Sequence, residues 1–177
     1  MPQRLISVHQ LTCFLLLFLL CCCCSAVEPP KPRQIKALRV VLAGSYHRHI
    51  DIICKIRREL EKAGVVVLEP LCGNTVNKGG DFIVLENDNP KVLNDETYRR
   101  IQHRFMDHCK EADIIYVYNE DGYIGLSTAF EVGLSRGHGK RIICHQLPKD
   151  KGLQVSDFGE VMPYPEFLQY CRKAITP

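Results

Sequence analysis

The fold is decided by residues 114–131, which read IIYVYNEDGYIGLSTAFE. The run at 114–118 is apolar and aromatic throughout and lacks the alternation of a strand with one solvated face, so it predicts a strand buried on both faces. A polar, glycine-containing loop follows at 119–126, and a helix is predicted from Ser127 to Arg136. A buried strand that leads through a loop into a helix is the repeating unit of a parallel α/β sheet.

The same alternation of strands and helices extends in both directions along the chain. Further buried strands are predicted at 37–43, 65–68 and 141–144, and further helices at 50–63, 94–112 and 163–174. The pattern predicts an α/β fold with a doubly wound parallel sheet of four to five strands, flavodoxin- or Rossmann-like. Ligands of such folds bind beyond the carboxyl ends of the strands, which selects the loops 44–49, 69–81 and 119–128.

Composition places the chain among ordinary folded proteins. It has 177 residues, of which 46% are hydrophobic and 24% charged, and its net charge is +3. These values exclude a wholly disordered, collagen-like or mucin-like chain. The charge is too small and too evenly spread to predict a nucleic-acid partner. The length fits one domain, which we assign to residues 37–177.

A hydrophobic segment precedes this domain. Residues 1–27 carry no Asp, Glu, Lys or Arg after Arg4, and residues 28–36 form a proline-rich linker. One interpretation is a cleaved signal peptide that directs the protein into the secretory pathway. The other is membrane attachment through residues 5–27, with the domain kept in the cytoplasm by the basic residues that follow the segment. The sequence leaves both interpretations open.

Five cysteines lie outside the hydrophobic segment, at positions 54, 72, 109, 144 and 171. Their number is odd, their spacing is wide, and no pair has the spacing of zinc ligands. We therefore expect free or buried thiols in a reducing compartment. No metal and no other cofactor is expected.

The first candidate site residues are Gly44, Ser45 and Tyr46, at the end of the first predicted strand. A glycine there lets the backbone approach a ligand closely, and the helix that follows directs its N-terminal N–H groups at an anion. An ordinary turn between strand and helix explains the same residues. The basic residues Lys78 and 47–49 are candidates for contact with a phosphate.

The second candidate group runs from Asp121 to Glu131. Two glycines, a pair of hydroxyls and a carboxylate stand where a strand passes into a helix. On local grounds the favoured interpretation is a capping box, with Thr128 as N-cap and Glu131 at the third helical position. The alternative is catalytic, because a fixed, ionised carboxylate can attack an electrophilic sugar carbon.

Retention at a glycosidic centre usually needs a second carboxyl about 5 Å from the nucleophile. The candidates are Asp81, Asp107 and Asp121. Asp107 also shares a helical face with His103, where a solvated surface is favoured over a catalytic pair.

These motifs resemble the nucleoside 2-deoxyribosyltransferase family. The stretch LAGS at 42–45, followed by VVVLEP at 65–70, is similar to the opening of family members. The stretch ADIIYV at 112–117, with DGYIG at 121–125 and STAFEVG at 127–133, is similar to the family's central signature. The resemblance covers about residues 38–145, nearly the whole predicted domain.

The resemblance implies a homo-oligomer that cleaves the N-glycosidic bond of a small-molecule substrate, either a 2′-deoxynucleoside or, as in the related N-hydrolases, a deoxynucleoside monophosphate. Glu131 matches the nucleophile that forms a covalent deoxyribosyl intermediate. Substrate contacts are expected from two loops, at Gly44, Ser45, Tyr46, Asp121, Gly122, Tyr123, Gly125, Ser127 and Thr128.

The sequence departs from the family at one position. Family enzymes often carry a further acidic residue on the helix before the third strand, where this chain has Phe105. Either Asp107 or Asp81 replaces that group, or the protein is a membrane-tethered module that binds or senses nucleotides without turnover. A third alternative is a phosphosugar or phosphonucleotide hydrolase in which Glu131 only caps its helix.

Overall fold

The centre of the protein is a five-stranded sheet, seen in a computed structural model that describes residues 37–176. The strands are β1 (Arg39–Gly44), β2 (Val66–Glu69), β3 (Ile114–Tyr118), β4 (Arg141–Cys144) and β5 (Glu160–Val161). Their order is β2-β1-β3-β4-β5, and every neighbouring pair is parallel. This is the flavodoxin-like strand order. The predicted α/β class and parallel sheet are confirmed.

Helices cover both faces of the sheet. They are α1 (Tyr46–Lys62), α2 (Asp95–Glu111), α3 (Leu126–Gly137), α4 (Lys151–Val155) and α5 (Tyr164–Ile175). Successive side chains of a strand point to opposite faces. In β1, Val40 and Leu42 therefore pack with α1 and α5, whereas Val41 and Ala43 pack with α2 and α3. Burial on both faces explains why the strands show no polar alternation.

Some element bounds differ from the predictions. Helix α1 begins at Tyr46 rather than Ile50, because its first turn consists of aromatic and basic residues without an apolar stripe. The short elements α4 and β5 were not predicted. No residue of α4 is buried and both residues of β5 are exposed. Neither element therefore has the hydrophobic pattern from which helices and strands are predicted.

The long connection between β2 and α2 is partly ordered. Thr75 and Leu85 form an isolated antiparallel bridge, and a 3₁₀ turn follows at Glu86–Asp88. Asn77 ties the segment together, because its amide donates to the Phe82 carbonyl and its side-chain oxygen accepts from the Val84 N–H. The connection therefore has a defined conformation beside the sheet.

A disulfide joins Cys54 of α1 to Cys72, with the two Cα atoms 5.7 Å apart. This corrects the expectation that all five cysteines are free; Cys109, Cys144 and Cys171 are free and buried. The pairing arises because the chain after β2 returns against α1, where Arg57 also donates to the Pro70 carbonyl. No sequence periodicity marks that return.

Loss of this disulfide is expected to lower the free energy of unfolding by about 3 kcal/mol, since the bond spans 18 residues and restricts the unfolded chain. Urea unfolding with and without a dithiol reductant measures the effect. The double variant Cys54→Ala/Cys72→Ala is the control, and its unfolding curve should not respond to the reductant. Identical wild-type curves in the two conditions would contradict the prediction.

The predictions for residues 1–27 and 28–36, a signal or anchor segment and a linker, lie outside the described residues. Within 37–176, no helix combines the length and the apolar character that crossing a bilayer requires.

Candidate active site

A cavity of about 250 Å³ opens at the carboxyl ends of β1, β2 and β3. Residues of all three loops selected from the fold prediction line it. One further wall comes from α2, which contributes Ile101, Gln102, Arg104 and Phe105. Polar and apolar side chains thus share a cavity at the place where flavodoxin-like sheets bind their ligands.

Glu131 lies in this cavity rather than in a capping interaction. Helix α3 begins at Leu126 with Gly125 as its N-cap and no side-chain cap, so the predicted capping box is wrong. Thr128 is already inside the helix and is buried. The Glu131 side chain instead reaches α2, where its Oε1 accepts a hydrogen bond from Nε2 of Gln102 at 3.2 Å.

The protonation of Glu131 is set mainly by its burial, since the residue is only 9% exposed. Burial raises the pKa of Glu131 to about 7; the Gln102 hydrogen bond lowers it and the nearby charge of Glu69 raises it. The carboxyl group therefore changes charge near neutral pH.

Tyr46 lines the same cavity as Glu131. Its hydroxyl donates to the Leu42 carbonyl at 3.1 Å, and its ring contacts the edge of Phe105 at a centroid distance of 6.4 Å. Burial raises the pKa of Tyr46 well above its usual value, and the charge of Glu131 adds to this effect. The phenol is therefore neutral at physiological pH.

A buried ion-pair cluster supports the wall between β2 and α2. Arg104 Nε donates to Glu69 Oε1 at 2.6 Å, and Arg104 Nη2 donates to Asp88 Oδ1 at 2.6 Å. His108 Nδ1 donates to the same Glu69 oxygen at 2.9 Å. Glu69 is 1% exposed and Asp88 4%, so both carboxylates depend on this cationic partner.

The structure brings most of the predicted site residues together. Those that line the cavity are Gly44, Ser45, Tyr46, Asp81, Tyr123, Gly125, Ser127, Thr128 and Glu131. Asp121 and Gly122 are not among the lining residues. Asp107 is exposed on α2 and pairs with Lys110 at 2.8 Å, which lowers the pKa of Asp107. Its position does not support a role as the second carboxyl, because it does not reach the cavity.

Gly44 is required at the end of β1 by close packing. A Cβ at this position would lie 2.5 Å from the Tyr118 carbonyl oxygen, well inside van der Waals contact. The missing side chain lets β1 end directly beside β3, so that Ser45 and Tyr46 reach the cavity.

Of the basic residues considered for a phosphate, only His47 lines the cavity, and its Nε2 donates to the Asp81 carbonyl at 3.0 Å. The Arg48 guanidinium stacks 3.7 Å from the centre of the Tyr123 ring. The His49 ring packs against Tyr118 at 5.5 Å. In the described range 37–176, no group of three or more His, Cys, Asp or Glu side chains is arranged to hold a metal ion.

Sequence reasoning did not single out Gln102, Arg104, Glu69 or Asp88. One signal was present for Glu69, a charged residue that ends an apolar strand directly before Pro70. The contacts of Gln102 with Glu131 and of Arg104 with Glu69 and Asp88 join positions 16 to 35 residues apart, so only the fold brings these side chains together.

No family model matches the chain. No curated protein matches it either. Among solved structures, it is similar to a 2-deoxyribosyltransferase from the psychrotolerant bacterium Bacillus psychrosaccharolyticus, with a TM-score of 0.54 and 19% identity over 75% of this chain and 91% of that one. It is also similar to a conserved protein from Enterococcus faecalis V583, with a TM-score of 0.50 and 10% identity over 78% and 99% of the two chains.

A CMP N-glycosidase from Clostridium botulinum, BcmB, gives a TM-score of 0.45 with 19% identity over 75% of this chain and 96% of its own. The likeness to the two structures with TM-scores of 0.50 and 0.54 shows the fold alone, because both are less than 25% identical to this chain. The resemblance proposed from the motifs is confirmed at that level, since a 2-deoxyribosyltransferase is among the solved proteins that share the fold.

Proposed function

We propose that this protein cleaves or transfers at the N-glycosidic bond of 2′-deoxyribonucleosides or their 5′-monophosphates, through a covalent deoxyribosyl intermediate on Glu131. The observation that carries the proposal is the position of the Glu131 carboxylate. It lies in the wall of a cavity at the carboxyl ends of the strands, and its hydrogen bond goes to a neutral amide. The fold shared with a 2-deoxyribosyltransferase supports the same reaction class.

In the first step, an electron pair of the Glu131 carboxylate forms a bond to C1′ of the sugar while the C1′–N bond breaks. The bond pair moves to the base nitrogen, which an acid or water protonates. The absent 2′-hydroxyl eases the oxocarbenium-like transition state. Water or a second base then attacks C1′ and restores the carboxylate, with net retention.

Asp81 is our candidate for the second carboxyl group. Of the three candidates weighed from the sequence, it is the one that lines the cavity. It is exposed at the mouth, where a leaving base exchanges with solvent. A positioned acid contributes about 10² to 10⁴-fold to the rate, so its loss slows the reaction without removing the nucleophile.

The second candidate function is a nucleotide-binding or sensing module without turnover. The observation that favours it is Phe105, which presents an apolar ring to the cavity where family enzymes often have an acidic residue. Calorimetry separates the two functions, because such a module binds deoxynucleosides or their monophosphates without releasing a base.

The proposal is tested by incubating the protein with a deoxynucleoside or its 5′-monophosphate, with and without a free acceptor base. Chromatography should detect the released base, and a new deoxynucleoside in the presence of the acceptor identifies a transferase. Release that does not depend on the acceptor identifies a hydrolase. Binding without release would replace the enzymatic proposal with the module.

The rate of base release is expected to depend on pH through Glu131. The carboxylate is the attacking form, and its pKa is raised to about 7. Activity should therefore rise with pH and be half-maximal near that value. At about pH 5 we expect kcat/KM to be about 100-fold below its plateau, because kcat/KM follows the free enzyme's essential groups. The acid limb of the activity profile is the pH range over which activity rises from its low-pH value. A midpoint of this limb at the ordinary pKa of a glutamate would contradict the prediction.

Two further proposals concern placement and assembly. The Cys54–Cys72 disulfide supports the secretory interpretation of residues 1–27, since disulfides persist in oxidising compartments. Leu126 and Phe130 are 89% and 58% exposed and lie one turn apart on α3, which supports the homo-oligomer implied by the resemblance.

A further inference from the structure

We propose that Gln102 is the positioning residue of the nucleophile: its side-chain amide holds Oε1 of Glu131 and leaves Oε2 as the oxygen that attacks the sugar. The inference rests on the proposed function and deepens it. The amide nitrogen lies 3.2 Å from Oε1, and both side chains line the cavity.

The hydrogen bond of Gln102 is the one that orients this carboxylate. Among residues 37–176, no second side chain or backbone group donates to the Glu131 carboxylate. Without that contact, rotation of the carboxylate about its terminal bond would be restricted only by packing. One donor to one oxygen therefore determines which of the two oxygens faces the open cavity.

The site of Gln102 on α2 is itself rigid. Its neighbour Ile101 and, one turn later, Phe105 are both buried against the rest of the protein. The helix is capped by Asn94, whose side chain accepts from the Thr97 N–H at 3.0 Å. The amide is thus presented to α3 from a fixed backbone position.

The neutrality of this donor distinguishes Glu131 from the other fully buried glutamate of the cavity. The Glu69 carboxylate is paired with the Arg104 guanidinium and with His108. A cation bound in this way withdraws charge from an attacking oxygen. Gln102 orients Glu131 without a counter-charge, so Glu131 keeps its nucleophilic character.

The same hydrogen bond fits every stage of the reaction. Before attack, Oε1 is one oxygen of a carboxylate. When Oε2 bonds to C1′ and the base leaves with the C1′–N electron pair, Oε1 becomes the carbonyl oxygen of the ester. A carbonyl oxygen still accepts from the amide N–H, and the bond is retained when water or a second base releases the sugar.

Gln102 also acts on the charge of Glu131. Burial and Glu69 both raise the pKa of Glu131, and the hydrogen bond from Gln102 opposes them. Loss of the donor should therefore move the acid limb of the activity profile to higher pH. If Gln102 had only a structural role, its loss would change the free energy of unfolding without moving the acid limb.

The test compares Gln102→Met, which keeps the length of the side chain without a donor, with the wild type. We expect kcat at about pH 7 to fall by roughly 10- to 100-fold, as for loss of a hydrogen bond to a charged group, with KM changed by less than about threefold. The acid limb should move up by about one pH unit.

Gln102→His is the second variant, because a neutral imidazole carries an N–H donor; above about pH 8 it should recover most of kcat. Arg99→Met, an exposed change on the same helix, is the matched control and should match the wild type in rate and pH limb. A folded Gln102→Met with wild-type kcat and pH limb would overturn this inference while base release by the wild type still supports the proposed function. Absence of release from the wild type would overturn both.

Discussion

Glu131→Gln is expected to abolish base release and, at the same time, to stabilise the folded protein above neutral pH. Removal of a covalent nucleophile typically costs about 10⁴-fold or more in rate. The amide keeps the shape of the side chain, and its oxygen still accepts from Gln102, so the fold should be retained. Wild-type base release by this variant would refute the assignment of the nucleophile.

The gain in stability follows from the direction of the pKa change. The pKa of Glu131 is raised in the folded protein from 4.5 to about 7. The folded state therefore binds this proton more tightly than the unfolded chain, and wild-type stability falls as pH rises between those two values. The full difference corresponds to about 3 kcal/mol at about pH 9, and it disappears at about pH 4.

Urea unfolding of Glu131→Gln and of the wild type near these two pH values measures the difference. The variant should be the more stable protein at high pH and should equal the wild type at low pH. Glu96→Gln, an exposed change at the start of α2, is the control, and we expect full base release and a difference of less than about 1 kcal/mol from it. A gain of the same size at both pH values would show that packing rather than charge is responsible.

Arg104→Met is expected to lower the free energy of unfolding by about 3 to 5 kcal/mol, the largest loss among the variants considered. The change leaves Glu69 and Asp88 buried without their shared guanidinium. His108 cannot replace it, because among the described residues the ion pair of His108 is with Glu69 and not with Asp88. Denaturant unfolding at neutral pH measures the loss.

Two control variants test whether the loss of stability comes from the buried charges. Arg39→Met removes an arginine whose ion pair with Glu111 is largely solvated, and it should cost less than about 1 kcal/mol. The triple variant Arg104→Met/Glu69→Gln/Asp88→Asn removes the three charges together and should recover most of the stability. Equal losses from the two arginine variants, or no recovery in the triple variant, would contradict the role given to the buried charges.

The sheet was accessible from sequence because its strands are continuous apolar runs. β3 has the predicted bounds, and the glycine-rich loop after it led directly to Glu131. The short exposed strand Glu160–Val161 has no such pattern and was missed. Strand prediction therefore succeeded for strands that are buried on both faces of the sheet, because such burial requires a continuous run of apolar residues.

The site was accessible only in part. Glu131 could be found because a carboxylate follows a loop of glycines and hydroxyls near a helix start. Its partner Gln102 is 29 residues away and carries no local signal, and Arg104 and Asp88 likewise meet only in the folded chain. The Cys54–Cys72 bond was misjudged for the same reason, since Cys72 lies in an aperiodic connection. Contacts between distant segments, rather than local preferences, decide these features.

The connection between β2 and α2 is fastened at two points, covalently at Cys72 and electrostatically at Asp88. The span between them, 73–87, carries the Phe82 and Ile83 side of the cavity and is cross-braced by Asn77. We expect a ligand larger than the cavity to enter only if residues 73–87 move outward between these two attachments, a movement that would also break the hydrogen bond from His47 to the Asp81 carbonyl. The size of the ligand that the cavity can accept is thus limited by how far residues 73–87 can move outward while both ends stay attached.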